Sequence, residues 1–144
     1  MNTIDGRTLF LQGYNCAEAT LADVSQSMDC VSLASGFAGG VGGTKGICGA
    51  LSGSVMGMGQ QLGIRSPEPK ASSAQLKQAV AQFLKEFGEI HGSTQCGILV
   101  PLEGFASEAE AQAFFASPER RQQCALYVEE AVRLAQSLLA DIQR

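Results

Sequence analysis

Cysteine is the residue type with the most chemistry to offer in this chain. Five are present, Cys16, Cys30, Cys48, Cys96 and Cys124. As thiolates they could bind metal, attack a disulfide or ligate an iron–sulfur cluster. Four share a local setting. Cys16 follows Asn15, which with Glu18 three residues on reads as a capping box with asparagine in first place. Cys48 ends the glycine-rich run GGVGGTKGI and stands at the start of a helix. Cys96 follows Ser93-Thr94, either of which can cap a short turn. Cys124 falls in the second turn of a helix that Ser117-Pro118 opens, serine as N-cap and proline at N1. A helix N-terminus carries about half a positive charge and unpaired N–H groups, so these settings predict lowered thiol pKa values. Cys30 follows a helix end beside Asp29 and reads as incidental.

Spacing adds little to these settings. The four cysteines are separated by 32, 48 and 28 residues, with no CxxC clamp and no zinc-finger spacing. Taken singly, each reads as a small buried hydrophobe; only the fold could bring the sulfurs together. His91 is the sole histidine, which excludes a histidine-rich metal site. Its default role is in packing, and its place five residues before Cys96 makes it a candidate ligand or proton shuttle.

The glycine-rich stretch superficially evokes a phosphate cradle. The P-loop order requires Gly-Lys-[Ser/Thr], whereas this chain reads Gly43-Thr44-Lys45-Gly46. The dinucleotide fingerprint fails where Lys45 replaces the third glycine, and no buried strand precedes it. The glycines instead divide into two sets. Residues 39–46 shape a loop that delivers Cys48. Gly43, Gly46 and Gly49 are the candidates for bringing backbone N–H groups against a cofactor held by the sulfurs. Gly49, Gly53 and Gly57 recur every four residues on one helix face, each costing roughly 1 kcal/mol relative to alanine. That face predicts close approach of another helix, within the monomer or across a homodimer, and the reading leans toward the dimer.

These elements belong to an all-α chain. Its 144 residues, 45% hydrophobic with no tryptophan, predict one compact helical bundle of about five to seven helices in a single domain spanning 1–144. No alternating strand pattern persists. Helices are expected over roughly 3–12, from Cys16 to Met28, over 31–38, from Ile47 to Leu62, from Ser72 to His91, from Ser107 to Ala116, and from Pro118 to Ile142. A loop is expected over 64–71. The face of the fifth of these carries Leu76, Ala79, Val80, Phe83, Leu84, Phe87, Ile90 and His91. The formal net charge of −4 and the absence of any Lys/Arg run beyond Arg120-Arg121 argue against nucleic-acid binding. Short apolar runs exclude a membrane span, and the first ten residues lack a secretory core segment. The expected location is cytoplasmic, where permanent disulfides are disfavoured.

With the cysteines placed, a family resemblance becomes legible. Cys48-Gly49-Ala50-Leu51-Ser52-Gly53 resembles the CGAxxG signature of the redox-active family named for its C_GCAxxG_C_C pattern. The family's four cysteines match Cys16 in GYNCAEA, Cys48 in CGALSG, Cys96 in STQCGIL and Cys124 in RQQCALY, and Cys30 has no counterpart. The resemblance covers nearly the whole chain and implies a redox or metal role. A similar helical, cysteine-bearing domain occurs in split-Soret cytochromes with an iron–sulfur site, but this chain has no CxxCH and so no covalent haem. The expectation is that Cys16, Cys48, Cys96 and Cys124 converge to hold an iron–sulfur cluster or a thiophilic metal such as zinc, or cycle between dithiol and disulfide. Electron transfer or thiol redox would be the function, with an unidentified redox protein as partner. The competing expectation is a helical adaptor module whose cysteines merely pack. The family's association with transporter genes would make that module transport-linked.

Overall fold

Capping chemistry sets most of the helix starts. A computed structural model describes residues 3–63, 69–100, 107, 109–110, 113 and 116–143. Helix α1 (Gly6–Leu11) begins after Asp5, whose carboxylate accepts from the Thr8 N–H. Helix α2 (Cys16–Ser25) carries the complete capping box, Asn15 accepting from the Glu18 N–H and Glu18 from the Asn15 N–H. A 3-10 segment follows over Val31–Phe37, then α3 (Gly49–Leu62), α4 (Pro69–His91), the single turn α5 (Cys96–Leu99) and α6 (Pro118–Ile142). Ser117 caps α6, accepting from the Arg120 N–H, with proline at the first position. The described residues contain no strand, only an isolated antiparallel bridge between Ile47 and Gln95. The all-α expectation holds.

Several boundaries differ from the sequence reading. Helix α1 starts at Gly6, because Asp5 provides the cap. Helix α2 ends at Ser25, where Gln26 turns left-handed at φ 52°. Its side chain then ties the turn down, donating to the Ile4 and Asp23 carbonyls and accepting from the Ile4 N–H. Met28 therefore lies outside the helix and is exposed rather than buried. Helix α4 begins at Pro69, so residues 69–71 of the expected loop are helical and its residues 64–68 lie outside the described residues; proline is tolerated in a first turn. Ile90, expected in the core, is exposed near the end of α4. The cap of α5 is Gln95 rather than Ser93 or Thr94; Ser93 instead accepts from the Gln95 N–H. Of the helix expected over 107–116, residues 109, 110 and 113 are helical and the Glu110 N–H donates to the Ser107 hydroxyl; residues 108, 111–112 and 114–115 lie outside the described residues.

Helix α3 packs against α2, α4 and α6. Phe83, Phe87, Leu51, Met58 and Val128 fill the interior with their side chains fully buried. The glycine face of α3 is spent on α2. A methyl group on Gly53 would run into the Ala17 carbonyl and the Thr20 hydroxyl, and one on Gly57 would come within 2.6 Å of Val24 Cβ. The close approach therefore lies within the chain, which removes the reason for expecting it across a dimer. No helix among the described residues is long and apolar enough to cross a membrane.

Candidate functional site

Each of the four cysteines is delivered by a different element. Cys16 is the first residue of α2, Cys48 the N-cap of α3, Cys96 the first residue of α5, and Cys124 lies in the second turn of α6. The fold brings all four to the lining of one cavity of about 30 Å³, together with Gly39, Gly49, Leu99, Arg120 and Tyr127. All four are free thiols. Cys48 and Cys96 are buried, and Cys16 and Cys124 are partly so. Cys30 lies apart, its sulfur accepting from the Gln60 amide.

Three backbone devices hold this arrangement. The first is the glycine loop, where Gly39, Gly40, Val41, Gly42 and Gly43 run consecutively at positive φ. Gly40 must be glycine, since a Cβ there would collide with the Gly46 backbone. Val41 holds φ 67° despite its branched side chain, a conformation such residues rarely adopt. The loop closes on itself through N–H donation from Gly42 to Gly36, Gly43 to Ala38, Lys45 to Gly39 and Gly46 to Gly40. The second device joins two cysteine segments directly. The Cys48 N–H donates to the Thr94 carbonyl at 2.8 Å and the Cys96 N–H to the Gly46 carbonyl at 2.7 Å. The third anchors α5 to α6: the Leu99 carbonyl accepts from the Tyr127 hydroxyl and the Gln123 amide, both at 3.2 Å.

The site glycines divide on inspection. Gly49 lines the cavity, and a Cβ there would collide with the Cys16 sulfur. Gly43 and Gly46 do not line it, and their N–H groups are consumed inside the loop by the Ala38 and Gly40 carbonyls. The Gly39 N–H is directed to the Cys16 sulfur along with that of Ala17. The Ala50 and Leu51 N–H groups at the start of α3 serve the Cys48 sulfur in the same way.

Cys16, Cys48 and Cys124 do not follow the expectation of lowered pKa. Burial pushes Cys16 up to about 11, and the neighbouring Cys124 and Cys96 push in the same direction. Burial, with Cys16 next in weight, pushes Cys48 up to about 12. Burial also raises Cys124, opposed by the Arg120 guanidinium. The N–H groups at the helix starts are real, but losing water and placing four sulfurs together outweigh them.

Sequence reasoning missed Arg120 and Tyr127. Arg120 precedes Cys124 by four residues, so helical spacing alone puts both on one face. Tyr127 has a weaker signal, since only the fold brings it over Leu99. His91 does not line the cavity. Its ring lies tilted against Phe87 at 4.4 Å and meets Tyr127 edge-on at 5.4 Å, so it stands behind the cavity wall.

The donor set is four soft sulfurs, which suits thiophilic metals. Among the described residues, no three His, Cys, Asp or Glu side chains are placed around one point where a metal ion could be held. A cavity of this size has room for roughly two waters, far below the roughly 300 Å³ an organic ligand needs.

A family model described as "Putative redox-active protein (C_GCAxxG_C_C)" matches residues 14–138, which include all four cavity cysteines. An uncharacterized protein of Archaeoglobus fulgidus is 30% identical over 141 residues, covering 88% of this chain and 85% of the relative. No solved structure matches.

Proposed function

The chain belongs to the C_GCAxxG_C_C redox-active family, and from that premise we propose that it is an electron-transfer protein. Cys16, Cys48, Cys96 and Cys124 would ligate a compact thiophilic centre, a [2Fe–2S] cluster in preference to a single zinc ion. The observation that carries the reading is the convergence of four thiols from four separate elements on one small cavity.

Two physical arguments choose among the chemistries open to such thiols. Thiol exchange needs an accessible thiolate. Here Cys48 and Cys96 are buried, and Cys16 and Cys48 are held as thiols well above neutral pH. A buried set of this kind is poorly placed to attack an external disulfide. Metal ligation reverses that logic, because a bound cation stabilises the thiolates that burial penalises. Between metals, a tetrahedral ion needs four sulfurs around one point, whereas a binuclear cluster asks two sulfurs of each iron. Zinc carries no redox chemistry, so the redox description of the family favours the second.

The cluster, when bound, supplies one-electron redox chemistry. The protein's own contribution is to exclude water and to direct the Gly39, Ala17, Ala50 and Leu51 N–H groups at two of the sulfurs. Such contacts spread the negative charge of a thiolate and tune its potential. The test is anaerobic reconstitution with iron and sulfide. About two irons and two sulfides per chain, with visible bands that bleach on reduction, are expected. A colourless chain that retains no iron would overturn the reading. Thiol pairing under mild oxidants would then point to disulfide cycling, and its absence to a packing role.

A further inference from the structure

The glycine loop carries two side chains where its backbone favours none. Val41 and Lys45 both sit in the left-handed region, at φ 67° and 68°, where glycine would stand unstrained. Gly39, Gly40, Gly42 and Gly43 share that conformation. Packing does not offset the strain. Val41 is 43% exposed and outside the hydrophobic core, and Lys45 is exposed. Lys45 makes no ion pair among the described residues. Space around the loop is open: a Cβ on Gly42 or Gly43 would meet nothing within 4 Å. Helix α5 stands alongside. The Gly97 N–H donates to the Lys45 carbonyl at 3.2 Å, and a Cβ on Gly97 would come within 3.1 Å of Lys45 Cβ. The next residue, Ile98, is 65% exposed and also outside the core. Along the chain all three stand next to the site: Val41 is two residues from Gly39, Lys45 three from Cys48, and Ile98 two from Cys96. Lys45 is the only charged side chain from Cys30 to Gly63, and none occurs from Gly92 to Val100. Two apolar side chains and one cation therefore face solvent on the two segments that deliver Cys48 and Cys96.

We propose that Val41, Lys45 and Ile98 form the docking surface through which the site exchanges electrons, and that its occupant is an acidic redox protein. The partner's contact patch sets apolar side chains on Val41 and Ile98 and a carboxylate against Lys45. This rests on the electron-transfer reading of the site and names its partner by chemistry. Electron tunnelling falls steeply with distance, so a carrier must seat close to the centre, and this face belongs to the segments holding two of the four sulfurs. Redox encounters are small and transient, which a patch of three side chains fits. The net charge of −4 does not turn an acidic partner away. Charges farther off than about 8 Å are screened at physiological salt, and the one in contact sets the specificity. The strain at positions 41 and 45 has its reason here: glycine would hold the loop equally well and give a partner nothing to bind.

A flavodoxin of net negative charge is the probe, and the first arm needs no bound centre. In the centre-free, isotope-labelled protein, added flavodoxin should shift the backbone amide signals of residues 42–46 and 97–98 ahead of all others. Lys45→Glu should abolish these shifts at low salt. Val41→Gly should weaken them although it relieves strain and leaves the fold at least as stable. Shifts confined to other faces, or none, overturn the proposal. Shifts that grow with the protein's own concentration in the absence of flavodoxin assign the face to a second copy and overturn it too. The second arm uses the reconstituted protein. The anionic flavodoxin hydroquinone gives one electron to the oxidised centre and becomes the neutral semiquinone, with no proton moved. Its rate is divided by that of reduction by the methyl viologen radical cation, which cancels changes in the centre itself. The ratio should fall at least about threefold in Val41→Gly and Ile98→Ser, and further in Lys45→Glu. Lys77→Glu, an exposed change early in α4, should leave it unchanged. Equal ratios in all variants, or an equal fall in Lys77→Glu, overturn the proposal. Failure to reconstitute with the amide shifts intact would sink the cluster reading and leave the docking surface standing.

Discussion

Replacing Gly53 with alanine tests the contact on which the cavity depends, the close approach of α3 to α2. In an open helix position this change would stabilise the chain by roughly 1 kcal/mol, because glycine is the poorer helix former. Gly53 is not in an open position. Its new methyl group would meet the Ala17 carbonyl and the Thr20 hydroxyl. Neither can step aside: one is helix backbone, and the hydroxyl is held by the Cys16 and Ala17 carbonyls. To regain ordinary van der Waals spacing, α2 would have to retreat by on the order of 1 Å. Overpacking of this kind costs about 1–3 kcal/mol, and rigid neighbours put the cost near the upper end, about 3 kcal/mol. After the propensity gain, net destabilisation is about 2 kcal/mol, or a fall in Tm of about 6 °C for a chain of this size. Gly59, in the same helix, supplies the control. A methyl there meets only Leu76 Cδ2 at 4.0 Å, so Gly59→Ala should raise stability by up to about 1 kcal/mol. Urea and thermal unfolding of both variants read the difference. If the two substitutions shift stability in the same direction by similar amounts, α2 and α3 do not meet as described.

Three further outcomes follow from the site. Cys48→Ser should abolish retention of iron after reconstitution, whereas Cys30→Ser, remote from the cavity, should leave both iron content and spectrum unchanged; iron analysis of the two variants checks this. Gly49→Ala should displace the Cys16 sulfur and lower iron retention more than Gly53→Ala does at matched stability, measured by iron per folded chain. The third outcome is pH-dependent. The thiols of Cys16 and Cys48 have folded pKa values of about 11 and about 12, above the ordinary value of 9.0. The folded state therefore holds its protons longer than the unfolded state. Their contribution to stability is complete below about pH 9 and is lost as the pH rises toward 11 and 12. Urea midpoints of the centre-free protein should fall over that window, and the fall should be shallower in Cys48→Ala.

Local chemistry was legible wherever a residue acts on its own neighbours. The Asn15–Glu18 capping box and the Ser117-Pro118 start appear in the structure at their expected positions, because both are satisfied within one helical turn. The end of α2 was not legible: Gln26 stops the helix by bonding to Ile4, more than twenty residues away. Ile90 matched the apolar spacing of α4 yet is exposed, since periodicity does not say how far along the helix its neighbours extend.

The same division runs through the site. Sequence alone determined the four cysteines, their places at or near helix starts, the separate standing of Cys30 and the all-α class. These follow from residue type and short spacing. Only the tertiary structure decided that the four sulfurs share a cavity with Arg120 and Tyr127, and that Gly39 rather than Gly43 or Gly46 serves the Cys16 sulfur. It also reversed the sign of the pKa shifts of Cys16, Cys48 and Cys124. A helix start lowers a thiol pKa through groups within one turn. Burial raises it, the neighbouring sulfurs 28 or more residues away add to that, and in this fold the two outweigh the helix starts.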